Sequence, residues 1–139
     1  MKSVRPILLI DLHSDSREAL AMLLRAFGYL VVVAEHGDEA LRMLQMGLRP
    51  CLIMLDLVVP GDGWSFRIEQ LKDPELARIP VIGGATIAKT QDHVDRALHV
   101  EAIMLKPFDL DELQRALARH CAVPDEPPDL DTPPSQALG

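Results

Sequence analysis

Apolar residues follow two alternating patterns along this chain. Short apolar runs without polar alternation are typical of strands covered on both faces; five occur, at 6–10, 29–34, 51–55, 80–85 and 102–105. Stretches between and after them place apolar residues at helical spacing; these cover 15–27, 37–46, 64–73, 90–99 and 109–121. Strands and helices that alternate through short loops predict an α/β fold with right-handed crossovers and a doubly wound parallel sheet of five βα units.

Polar residues and prolines mark the helix ends. Ser14 or Asp15 is expected to cap the first helix, and Asp109 with Glu112 has the spacing of a capping box on the last. The third helix is expected to end before Pro74, because proline disfavours helical backbone in the residue that precedes it.

The 139 residues suit a single core, and 48% apolar but only 4% aromatic residues predict an aliphatic interior. We expect one domain over 1–121 and a disordered tail over 122–139, because five of the eleven prolines lie between 124 and 134 among unbalanced acids. The chain's net charge is −7. Without a stripe of Lys and Arg, it is not expected to bind nucleic acid.

No apolar run approaches the roughly 20 residues of a membrane span, and the start lacks a cleavable signal pattern. A soluble, cytoplasmic protein that does not bind membranes is therefore expected. Cys51 and Cys121 have neither CxxC spacing nor a secretory context, so they are interpreted as reduced, buried, small hydrophobic residues.

Charged residues follow three of the predicted strands. Asp11 follows the first, Asp56 the third and Lys106 the fifth. Taken singly, each aspartate could be a turn cap and the lysine a surface residue. Together they favour a site, because ligands of open parallel sheets bind at the carboxyl ends of the strands.

These three residues, with Pro60-Gly61-Asp62-Gly63 after the third strand and Lys106-Pro107-Phe108 after the fifth, resemble the receiver domain of bacterial response regulators. The resemblance covers residues 6 to 120. It implies a flavodoxin-like fold with strand order 2-1-3-4-5.

The resemblance also implies a chemistry. Asp56 is the expected phosphoacceptor, and Lys106 the group that stabilises phosphoryl charge. Mg²⁺ is expected to be held by Asp11, Asp56 and the backbone carbonyl of Val58. Lys106-Pro107 resembles a cis peptide bond of the family.

The chain departs from the family pattern at three positions. Leu12 replaces the second acid that normally binds the metal, so magnesium binding is expected to be weak or absent. Ala85 stands at the switch position, and the hydroxyl of Thr86 would reach the pocket only through a bulge near Gly83 and Gly84. Ile103 replaces the usual aromatic residue. His13 could supply a ligand, although imidazole suits other metals better and an exposed loop histidine is the simpler interpretation.

Two functions remain open. The first is a stand-alone receiver, not an enzyme, that takes a phosphoryl group from a histidine kinase or phosphotransfer protein and signals to an unknown protein target. The second is a pseudo-receiver, a phosphorylation-independent interaction module. A homodimer would use the face of the fourth helix, fifth strand and fifth helix. A flavin or nucleotide enzyme is disfavoured, because the loop 11–16 is acidic and has no glycine.

Overall fold

A computed structural model gives the structure of the chain and describes residues 4–56, 62–85 and 100–124, with the backbone alone at 62–64. Within these ranges, five parallel strands form one sheet in the order β2-β1-β3-β4-β5. They are β1 (Ile7–Ile10), β2 (Val31–Ala34), β3 (Leu52–Asp56), β4 (Val81–Ala85) and β5 (Ala102–Leu105). The predicted doubly wound, flavodoxin-like fold and its strand order are confirmed.

Five helices lie in the described ranges: α1 (Ser14–Ala26), α2 (Gly37–Gln45), α3 (Asp62–Leu71), α4 (Pro74–Ala77) and α5 (Leu110–His120). The predicted helix over 90–99 lies outside the described residues. The short helix α4 was not expected. It forms because the Asp73 carboxylate accepts from the N–H groups of Glu75 and Leu76, while Pro74 occupies the first turn, where no N–H is needed.

The two predicted helix caps have different outcomes. Asp109 caps α5 and accepts from the N–H of Glu112 at 2.9 Å, as expected. The cap of α1 was predicted wrongly, because His13 holds the N-cap position and contributes no side-chain bond. Its N–H instead donates to Asp11 Oδ1 at 2.9 Å, and this turn starts the helix at Ser14.

The core consists of two layers, one on each face of the sheet. Alternation along β1 sends Leu8 and Ile10 into one layer and Ile7 and Leu9 into the other. The first layer packs against buried residues of α2, α3 and α4, and the second against those of α1 and α5. All four β1 side chains are buried, which explains why the strands have apolar runs without alternation.

The interpretation of the cysteines as reduced was wrong. Cys51, just before β3, and Cys121, just after α5, form a disulfide with their Cα atoms 5.3 Å apart. Their sequence separation of 70 residues concealed the pairing. The fold brings them together because the last helix returns to the edge of the sheet where the strands begin.

The described chain continues past this disulfide. The side chain of Val123 lies against Gly28, whose φ of 100° places it in the left-handed region that favours glycine. No helix in the described ranges combines the length and hydrophobicity that crossing a membrane requires.

Candidate functional site

The sheet brings the three charged candidates to one edge. Asp56 is the last residue of β3 and pairs with Gly84 of β4. Asp11 directly follows Ile10, which pairs with Leu55 one residue before Asp56. Lys106 follows β5, and its N–H donates to the carbonyl of Ala85 at the end of β4. All three residues therefore lie at the same edge of the sheet, at the carboxyl ends of β1, β3 and β5, and β4 separates β5 from β3.

An ion pair joins two of these residues. Lys106 Nζ lies 2.5 Å from Asp56 Oδ1, and the two side chains are 26% and 12% exposed. This partial burial weakens screening by solvent, so the attraction exceeds that of an exposed surface pair. Both groups still reach the surface, so a partner molecule can approach the carboxylate.

Gly84 leaves room for the Lys106 side chain in this ion pair. Lys106 has to cross β4 to reach Asp56, and a Cβ atom at position 84 would lie 3.2 Å from Lys106 Cε and 3.0 Å from Phe108 Cζ. Glycine in a strand interior often marks such a close approach. The structure identifies the approaching groups as the Lys106 and Phe108 side chains.

Asp11 occupies a more enclosed position. It is only 3% exposed, its Oδ1 accepts from the N–H of His13, and its backbone carbonyl accepts from Arg17 Nη1 at 2.9 Å. Asp11 and Asp56 line one narrow cleft of about 10 Å³, which is about the space of one water molecule. Among the described residues, the cleft itself therefore encloses no space for a group larger than a water molecule.

The described donors fit magnesium only in part. Carboxylate oxygens are of the type that Mg²⁺ prefers, and Mg²⁺ commonly uses one or two carboxylates and keeps several waters. Leu12 is 48% exposed and cannot coordinate a metal, and His13 is exposed. No group of three or more His, Cys, Asp or Glu suited to a metal ion occurs in the described part of the chain.

The switch positions contain no polar group among the described residues. Ala85 ends β4 and is 1% exposed, while Ile103 is 7% exposed and belongs to the core. Thr86, the candidate displaced hydroxyl, and Val58, the candidate carbonyl ligand, both lie outside the described residues. The Lys106-Pro107 peptide bond is cis, as the resemblance implied.

Sequence comparison identifies relatives of the whole domain. The chain matches the model of the response regulator receiver domain over residues 7–118. An uncharacterized 14.6 kDa protein of Leptolyngbya boryana is 32% identical over 120 residues, which cover 83% of this chain and 88% of that protein. The probable transcriptional regulator ycf27 of Cyanophora paradoxa is 32% identical over 125 residues, or 86% of this chain and 51% of that protein. The chain thus spans about half the length of the ycf27 relatives that it matches.

Structural comparison gives the same fold. The receiver domain of the sensor histidine kinase PA1611 from Pseudomonas aeruginosa PAO1 superposes with a TM-score of 0.73 at 27% identity, covering 85% of this chain and 98% of that chain. That crystal structure has a magnesium ion coordinated in its active-site cleft.

Proposed function

Because the chain belongs to the response regulator receiver family, we propose that it accepts a phosphoryl group on Asp56 from a histidine kinase or a phosphotransfer protein. The observation that carries this proposal is the Lys106–Asp56 ion pair at the carboxyl edge of the sheet. It places a potential nucleophile beside a fixed positive charge at the mouth of a cleft.

The chemistry follows from these two groups. A carboxylate oxygen of Asp56 attacks the phosphorus of a phosphohistidine, a P–O bond forms, and the P–N bond breaks with its electron pair leaving on the imidazole nitrogen. The product is an acyl phosphate. The Lys106 ammonium neutralises charge on the phosphoryl oxygens, and it is already oriented toward the reacting carboxylate before the partner arrives.

Asp11 and Asp56 would hold Mg²⁺ weakly, with the Val58 carbonyl as a third ligand. The side chains of Asp11, Asp56 and Lys106 together carry a charge of −1, which attracts a strongly hydrated dication less than a pocket with another acid would. When bound, the ion would supply additional charge neutralisation at the phosphoryl group.

A pseudo-receiver is the second candidate function. Leu12, the exposed residue after Asp11, has no group that can bind a metal, and the buried Ala85 and Ile103 lack the hydroxyl and the aromatic ring of the usual response to phosphorylation. Such a domain would present the same surface to its protein target in every state. In either function the domain, 1–121, signals by binding a protein in the cytoplasm rather than by catalysing a reaction of its own.

Incubation with phosphoramidate and magnesium, followed by intact-mass spectrometry, tests the first proposal. We expect the mass gain of one phosphoryl group in the wild type and none in Asp56→Asn. Asp111→Asn, which changes an exposed carboxylate in α5, is the matched control and should retain the gain. A wild type that stays unmodified, or an Asp56→Asn variant that is still modified, would contradict the assignment of Asp56.

A further inference from the structure

A second concave site lies at the opposite edge of the sheet. This cavity has a volume of about 790 Å³, within the usual range of small-molecule sites. Its walls come from segments that precede β1, β3 and β4 and from the end of α5. The side chains that define this basic cavity are Arg5, Arg49, Arg78, Arg119, His120 and Glu75.

The charge of the basic cavity is opposite to that of the whole chain. The chain has a net charge of −7, yet four of its ten arginines line this cavity, with a single acid among the described lining residues. The lining therefore carries +3 with His120 neutral. A concave surface lined by one sign of charge concentrates ligands of the other sign, so this cavity favours anions.

One arginine and the single acid are already paired with each other. Arg49 donates to Glu75 Oε1 through Nη2 at 3.0 Å and Nε at 3.2 Å, and its Nη1 donates to the carbonyls of Leu44 and Leu48. This pair fixes one wall of the cavity. It also neutralises Glu75, which would otherwise repel an anion.

Within residues 4–56, 62–85 and 100–124, the other three guanidinium groups have no such partner. None of the hydrogen bonds or ion pairs between described residues involves the side chain of Arg5, Arg78 or Arg119. His120 also faces the cavity, and its Nε2 lies 3.8 Å from Glu101 Oε1. Three guanidinium forks thus remain to donate to a ligand.

The disulfide holds the two walls of the cavity together. Cys51 and Cys121 both line the cavity and are bonded to each other. The segment that enters β3 and the end of α5 therefore cannot separate. A site whose walls are fixed loses less conformational entropy when a ligand binds.

We propose that the basic cavity binds a small polyvalent anion that carries phosphate or carboxylate groups. A guanidinium group can donate two parallel N–H hydrogen bonds to the oxygens of either a phosphate or a carboxylate. The site is separate from Asp56, because the four to five residues of each strand, at about 3.3 Å per residue, lie between the two edges of the sheet. Failure of this proposal would leave the phosphoacceptor proposal intact.

Isothermal titration of the full chain tests the proposal, with pyrophosphate and citrate as separate probes at constant ionic strength. We expect saturable binding of one anion per chain, and the tighter probe identifies the preferred group. Arg78→Gln and Arg119→Gln should each weaken binding about tenfold, the effect of one lost charge-assisted hydrogen bond. Arg115→Gln is the matched control, since it removes one exposed charge from α5 outside the cavity.

Three outcomes would overturn the proposal. The first is that neither probe gives saturable heat. The second is that Arg115→Gln weakens binding as much as Arg119→Gln, because this would show a general effect of charge. Binding that occurs only after deletion of residues 125–139 would identify the chain's own acidic segment as the occupant. Arg119 is exposed, so its substitution is not expected to disturb folding, and melting curves of all variants check this.

Discussion

Breaking the Cys51–Cys121 disulfide should lower the stability of the domain by a measurable amount. The bond closes a loop with a sequence separation of 70 residues. The chain-entropy relation gives a stabilisation of about 4 kcal/mol for a loop of this size, and measured values for disulfides are typically about 2–4 kcal/mol. At about 3–4 °C per kcal/mol for a domain of this length, we expect the melting temperature to fall by roughly 10 °C.

The assay is thermal unfolding of the wild type and of the double variant Cys51→Ala/Cys121→Ala, each with and without a reductant. Reduction should lower the midpoint of the wild type and leave that of the double variant unchanged. The double variant is the control for effects of reductant unrelated to this bond. Thiol titration of the unfolded protein reports whether the bond was present before reduction.

Two results would refute this reasoning. A wild type that contains the bond but unfolds at the same midpoint with and without reductant would show that closing the loop adds no stability. Two free thiols in protein purified without reductant would show that the cysteines do not pair.

Three further outcomes are expected. Gly84→Ala should move Lys106 away from Asp56, because the added Cβ would lie 3.2 Å from Lys106 Cε. The substitution should slow phosphorylation by phosphoramidate and lower the free energy of unfolding by about 1–3 kcal/mol. An unchanged rate of phosphorylation would contradict the role of the glycine. Leu12→Asp should lower the melting temperature in metal-free buffer, because the added carboxylate repels Asp11 and Asp56, and millimolar magnesium should restore it. If magnesium raises the melting temperature of the wild type equally, the metal site is already complete. Deletion of 125–139 should leave the melting temperature unchanged, because it keeps the contact of Val123 with Gly28; a cooperative loss of stability would show that this segment docks.

The pattern of apolar residues predicted the sheet to within about two residues at each strand end. Strand interiors such as Ile7–Ile10 are buried on both faces, and a run of apolar residues indicates such burial. The short helix after Pro74 was missed because proline signals both the end of one helix and the first turn of another.

Chemistry within one edge of the sheet could be predicted better than contacts between distant segments. Asp11, Asp56 and Lys106 were grouped from the sequence because strand ends converge in a parallel sheet. The convergence of strand ends does not give distances between side chains. The Lys106–Asp56 ion pair, and the path of the Lys106 side chain over Gly84, therefore could not be derived from the sequence.

The contacts at the edge where the strands begin could not be predicted from local sequence patterns. Cys51 and Cys121 are 70 residues apart. The arginines of the basic cavity are likewise scattered along the chain at positions 5, 49, 78 and 119, and nothing in their spacing indicates a common site. Only the folded chain brings these residues together.

The disulfide also determines how the last helix can move. Helix α5 runs from Leu110, near Lys106, to His120, beside the bonded Cys121. Its eleven residues span about 16 Å, and one end is covalently tied to the start of β3. The bond therefore restrains the C-terminal end of α5 covalently, beside the basic cavity. The N-terminal end, at the edge that carries Asp56 and Lys106, is held by the loop from β5 and by packing alone.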